Sequence, residues 1–169
     1  MIRSLSVILA GFVGAYVTPI AAQDINFDET LTLSCYYESG TSGHTSQEDC
    51  FGVSADACLA TLIGSTYEML FCMGEEYAVW DRLLNEAYGN LRARLQEDAN
   101  TRMTGAPSQV EILRDMQRAW VAYRDASCAF ERARWGDGTG AGPAEVACLA
   151  NTTAQQVFVL AAEIEMVGL

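Results

Sequence analysis

The stretch from Ser65 to about Asn100 constrains this chain more than any other. It opens on a capping-box pattern, in which Ser65 accepts from the N–H three residues on and Glu68 reaches back. Apolar side chains follow at Met69, Met73, Tyr77, Trp80, Leu84, Tyr88, Leu91 and Leu95. Steps of three and four put them in one stripe along a helix. At 1.5 Å per residue that helix is roughly 50 Å long. A helix of this length cannot leave such a stripe in water, so later parts of the chain have to cover it.

Two later segments have the required periodicity. The chain breaks at Thr104-Gly105-Ala106-Pro107, and Ser108 with Glu111 then forms a second capping box. This box opens a helix to about Trp135, and the glycine-rich WGDGTGAGP makes a tight turn. Pro143 suits the first position of a third long helix ending near Met166, with Gly168 just beyond it. Before the long helices, Ser54 to Ile63 reads as a short helix with Ser54 as N-cap and Gly64 as its stop. Residues 23–52 show little periodicity, and SGTSGHTSQED reads as an exposed loop. Strand-like alternation is absent. The expected fold class is all-α: three long helices in an up-down-up bundle, with a short preceding helix and a disulfide-closed N-terminal loop.

The first 22 residues stand apart. Arg3 precedes an apolar run from Leu5 to Val17, and Ala21-Ala22 offers small residues at a cleavage point. This is the layout of a secretory signal peptide, too short to span a bilayer. The expected parts are therefore a signal peptide (1–22), a cysteine-bracketed N-terminal segment (23–53) and a helical domain (54–169). The expected location is periplasmic or secreted. The full chain carries −12, and removing Arg3 with the signal peptide leaves −13. Such a surface repels nucleic acid and anionic membranes and suits a cationic partner.

Six cysteines, Cys35, Cys50, Cys58, Cys72, Cys128 and Cys148, lie in the exported part. An even count in an oxidising compartment reads as three disulfides. Metal binding would favour close C-x-x-C pairs and several histidines, whereas the chain has only His44, so no metal site or cofactor is expected. Folding the last two helices about residue 139 or 140 brings Cys128 within a turn of Cys148. Cys35–Cys50 and Cys58–Cys72 then follow, with Cys72–Cys148 as the competing pair.

Polar residues interrupt the second helix's stripe at Gln117 and Arg124. A guanidinium at a core-facing position needs acceptors. Folding about residue 103 or 104 sets Arg124 opposite Leu83 or Leu84, between Asp81 and Asn85. An Arg124–Asp81 pair supported by Asn85 is the natural arrangement, with Glu76 a less well-placed alternative. Read as chemistry, Glu76 and Asp81 would be paired carboxylates for a hydrolase, with Arg124 holding an anion. Read as structure, Asp81, Asn85, Gln117 and Arg124 form a polar network that fixes helix register. No nucleophile with a base accompanies them, and the structural reading is preferred. His44 reads as solvated, GDGTGAG lacks the lysine of a P-loop, and Trp80 and Trp120 read as packing.

Together these motifs resemble one family. The residues are Glu68, Met69 and Cys72; then Trp80, Asp81, Leu84, Asn85 and Tyr88; then Gln117, Arg118, Trp120, Tyr123, Arg124, Asp125 and Cys128; and finally Cys148 and Leu149. Their order and spacing from about Cys58 to Leu160 are similar to the LprI-type lysozyme-inhibitor family, whose members are small exported proteins. The resemblance implies a binding protein directed at a lysozyme-type cell-wall hydrolase, and not an enzyme. The alternative is an envelope structural or stress protein with no enzyme target. Candidate partner-binding loops are the first polar loop (Ser42, His44, Thr45), which is favoured, and the glycine turn (Asp137, Thr139).

Overall fold

A computed structural model describes residues 25–39, 46–99 and 107–167. The expected signal peptide and the loop residues Ser42, His44 and Thr45 lie outside the described residues. Among the described residues, five α-helices make up the architecture: α1 (Thr30–Glu38), α2 (Val53–Leu59), α3 (Thr66–Ala99), α4 (Gln109–Ala133) and α5 (Ala141–Val167). A 3-10 turn, Gln47–Cys50, precedes α2. Among the described residues there is no strand, and no helix is long and apolar enough to cross a membrane.

The capping box at Ser65 is formed. Glu68 Oε2 accepts from the Ser65 N–H at 2.7 Å, and Ser65 Oγ accepts from the Glu68 N–H at 3.3 Å. From there α3 buries a line through Glu68, Cys72, Glu76, Val79, Trp80, Leu83, Leu84, Ala87, Leu91 and Leu95. Met69, Met73, Tyr77 and Tyr88, expected on the buried stripe, sit at its half-buried margins.

The main cover of α3 is α5. Contacts climb the two helices together: Leu70 lies against Gly142, Met73 and Glu76 share a cavity with Ala147 and Ala150, and the Trp80 and Phe158 rings are 5.9 Å apart. Contacts between α4 and α5 run in opposite senses, from Arg132–Glu145 at 2.8 Å through Cys128–Cys148 to Gln117–Gln156 at 3.2 Å. Direct packing of α4 on α3 is slight by comparison. α5 suits the inner place because it carries three acids and no basic residue, and it buries Ala150, Ala154, Val157, Phe158 and Leu160.

Two expectations about the N-terminal segment need correction. The stretch 23–52, expected to lack regular structure, is not simply a loop, since α1 occupies Thr30–Glu38. It starts where Asp28 Oδ1 accepts from the Thr30 N–H at 3.0 Å and the Thr30 hydroxyl at 2.6 Å. Its weak apolar periodicity hid it, because α1 is held by tertiary contacts. Ser54 is also not the cap of α2. The chain enters that helix from Gly52 at φ 82°, a left-handed conformation that glycine adopts without a Cβ penalty. Ser54 is the second residue of the helix and is fully buried.

The disulfides are Cys35–Cys50, Cys58–Cys72 and Cys128–Cys148, with Cα separations of 5.5, 5.9 and 5.4 Å. All are local. They tie α1 to the 3-10 turn, α2 to the start of α3, and α4 to α5 across the glycine turn. None joins α3 to α5, whose contact among the described residues is chiefly apolar packing. Replacing Cys128 and Cys148 together by Ser should therefore cost about 3 kcal/mol through loop entropy, lowering the melting temperature by about 10 °C. The near-ultraviolet circular dichroism of the aromatic core should be unchanged at 25 °C. Loss of that signal in the folded variant would show that the bridge, and not packing, holds α5 in place.

Candidate functional site

The best-formed polar site is a buried carboxylate on α3. Glu76 is 1% exposed. Its Oε1 accepts from the Trp80 indole N–H at 2.7 Å, its Oε2 accepts from the Ala55 N–H at 3.1 Å, and the Thr32 hydroxyl donates to the carboxylate at 2.9 Å. Thr32 and Ser54 lock together beside it: the Thr32 N–H donates to Ser54 Oγ at 3.0 Å and the Ser54 N–H to Thr32 Oγ1 at 3.3 Å. One carboxylate thus holds α1, α2 and α3 at a single point. Burial pushes its pKa above the usual glutamate value, and the donors from Thr32, Trp80 and Ala55 pull against that shift. The indole sits inside an aromatic cage of Tyr36, Phe51 and Phe158, with ring centroids 5.9 to 6.1 Å from Trp80.

Asp81, Asn85, Gln117 and Arg124 do line one groove, of about 510 Å³, between α3 and α4. Their expected pairing is not formed. Arg124 bonds Asp125, with Nε 2.9 Å and Nη2 2.8 Å from Oδ1. Its guanidinium lies 5.2 Å from the Trp120 ring centroid and 5.8 Å from that of Tyr77, within cation–π range. Asp81 instead accepts from Asn85 Nδ2 at 3.1 Å, and Gln117 Oε1 accepts from Gln156 on α5. The cause is the loose α3–α4 contact, which leaves Asp81 across an open groove while Asp125 is the next residue in the chain. Glu76 and Asp81 are not a catalytic pair either, since five residues along α3 turn them about 140° apart.

The 3-10 turn that follows the first loop in the chain and the glycine turn lie towards opposite ends of α5. The first loop runs into the 3-10 turn, where Gln47 joins Tyr36, Tyr37, Phe158 and Glu165 around a groove of about 460 Å³. Glu48, Glu163 and Glu165 are exposed at that end, and Tyr37 is 66% exposed. The glycine turn, with Asp137 and Thr139 exposed, leads into the other end of α5. It wraps the Trp135 ring so closely that a Cβ on Gly140 would clash with the ring. Along α5 the two ends are roughly 40 Å apart. Among the described residues no group of His, Cys, Asp and Glu is arranged to hold a metal.

Sequence reasoning undervalued Glu76. The signal was present, because Glu68, Cys72, Glu76 and Trp80 recur every fourth residue and so share a helix face. Thr32 and Ser54 left no such trace, since their role depends on how α1 and α2 dock.

A family model described as Lysozyme inhibitor LprI matches residues 58–160. No curated protein and no solved structure matches the chain. The matched span includes Glu76 and Trp80 but excludes Thr32, Ser54 and Ala55. The carboxylate is therefore the joint between the shared helical unit and the N-terminal segment that precedes it.

That joint has a pH signature. A carboxylate whose folded pKa is raised contributes stability that is present below its ordinary value, 4.5, and lost as pH rises through the raised one. Glu76→Gln cannot titrate. The melting temperature of the parent relative to this variant should therefore fall as pH rises above 4.5 and level off once the raised pKa is passed. A parent-minus-variant difference that stays flat or rises with pH would contradict the assignment.

Proposed function

Because the chain belongs to the LprI lysozyme-inhibitor family, we propose that it inhibits a cationic, lysozyme-type cell-wall hydrolase by binding it. The family match over residues 58–160 carries this reading, and the net charge of −12 supports it. The protein acts after export, in the periplasm or outside the cell, once residues 1–22 are removed. Its mature part is an N-terminal segment, 23–53, clasped onto a helical domain, 54–169, whose three long helices run up, down and up. No cofactor takes part.

The contact surface is the end of α5 beside Tyr37 and Gln47. A basic enzyme is drawn to Glu48, Glu163 and Glu165, and Tyr37 offers an amphipathic anchor beside them. Ser42, His44 and Thr45 follow in the adjoining loop and supply hydrogen-bond donors to the cleft. The glycine turn is the weaker candidate. Arg132 and Arg134 adjoin Asp137 and Thr139 there, so that end lacks the charge to attract a cationic partner.

Lysis of a bacterial cell-wall suspension by a basic lysozyme tests the proposal. The oxidised exported protein should suppress lysis near equimolar amounts at physiological salt. Glu48→Lys with Glu165→Lys should weaken inhibition about tenfold with little change in melting temperature. Trp135→Ala, at the far end, should leave inhibition unchanged. Full lysis at large molar excess of the parent would overturn the inhibitor reading in favour of an envelope protein without an enzyme target. Loss of inhibition only in Trp135→Ala would move the contact to the glycine turn.

A further inference from the structure

α4 leaves an ordered apolar face uncovered. Ile112, Met116, Ala119, Tyr123, Ala126 and Phe130 follow one another at spacings of four, three, four, three and four residues, the seam of a coiled coil. All six are exposed; Ile112 is 57%, Met116 40%, Tyr123 66% and Phe130 67% accessible. The face about 120° round α4, through Leu113, Gln117, Trp120, Arg124 and Cys128, already faces the fold. No intrachain element among the described residues needs this second seam, which is roughly 27 Å long.

We propose that this seam binds the same seam of a second copy, with the two α4 helices antiparallel about a two-fold axis. Charge selects this occupant. Within Gln109–Ala133 four arginines balance four acids, whereas α3 carries seven acids against three arginines and α5 three acids against none. α4 is thus the long helix along which two strongly acidic molecules approach with the least repulsion, and a cationic partner has no reason to prefer it. Shape selects the register. Setting Ile112 against Phe130 of the second copy also sets Met116 against Ala126 and Ala119 against Tyr123. The two inner pairs each match a large side chain with a small one, as interdigitated packing requires. Ala122 and Ala129, beside the seam, let the backbones come close. Each copy contributes roughly 500 Å² of its exposed side chains, which places the pair at the lower end of specific interfaces. The dimer is accordingly reversible.

Sedimentation equilibrium of the oxidised exported protein tests this. The mean mass should rise from monomer towards dimer between about 1 and about 100 µM. Met116→Glu and Ala126→Arg should each hold the protein monomeric over that range while keeping the parent melting temperature, since both residues are exposed. The double variant should dimerise again, because the new carboxylate meets the new guanidinium only across the antiparallel axis; within one helix the two positions are about 15 Å apart. A parent that remains monomeric at the top of the range overturns the proposal, whether its seam is left bare or engages a hydrolase or the N-terminal apolar segment. A dimer that survives both single variants, or a double variant that stays monomeric, overturns the interface or its register.

Discussion

The hydrogen bond from the Trp80 indole to the buried Glu76 carboxylate is the interaction on which the rest of the structure depends. A carboxylate with 1% exposure is tolerable only when its oxygens are occupied, and here the donors come from three helices. Removing any of them strands the others in an apolar surrounding, at a cost of about 1–3 kcal/mol for each unpaired group. The same tryptophan fills the centre of the aromatic cluster, so polar satisfaction and apolar packing meet at one residue pair. α1 and α2 are too short to be stable alone. They exist because Glu76 gives their buried polar groups a destination.

The disulfides complete this arrangement without replacing it. Each closes a loop of 14 to 20 residues between neighbouring elements and so restrains the unfolded chain locally. The long-range order, α5 along α3, is left to Val79, Trp80, Leu83, Leu91, Val157, Phe158 and Leu160. The outcome is a helical body with exposed acids, Glu163 and Glu165, at one end of α5 and a charge-balanced helix, α4, on its outside. Such a body presents preformed surfaces, and binding by preformed surfaces avoids the ordering cost that weakens flexible binders.

Much of this was legible from residue patterns. The three long helices follow from apolar spacing and from Ser65 and Ser108 as caps, and the disulfides follow from where the helices place their cysteines. The helix-on-helix partners were harder to read. A hairpin argument sets α4 against α3, yet the third helix, richer in apolar residues and free of arginine, takes the inner place. The error carried over to Arg124, whose partner became the adjacent Asp125 once Asp81 lay across an open groove. α1 and the burial of Ser54 were invisible because nothing local encodes them. They depend on Glu76, twenty-two residues beyond Ser54.

The central functional claim is that this acidic helical body binds a basic lysozyme specifically. Calorimetric titration of such an enzyme into the oxidised exported protein, at low and at physiological salt, tests it most directly. The account predicts a saturable isotherm, one enzyme per chain, that weakens as salt rises and persists at physiological strength. Heat that fails to saturate at either salt concentration would contradict it.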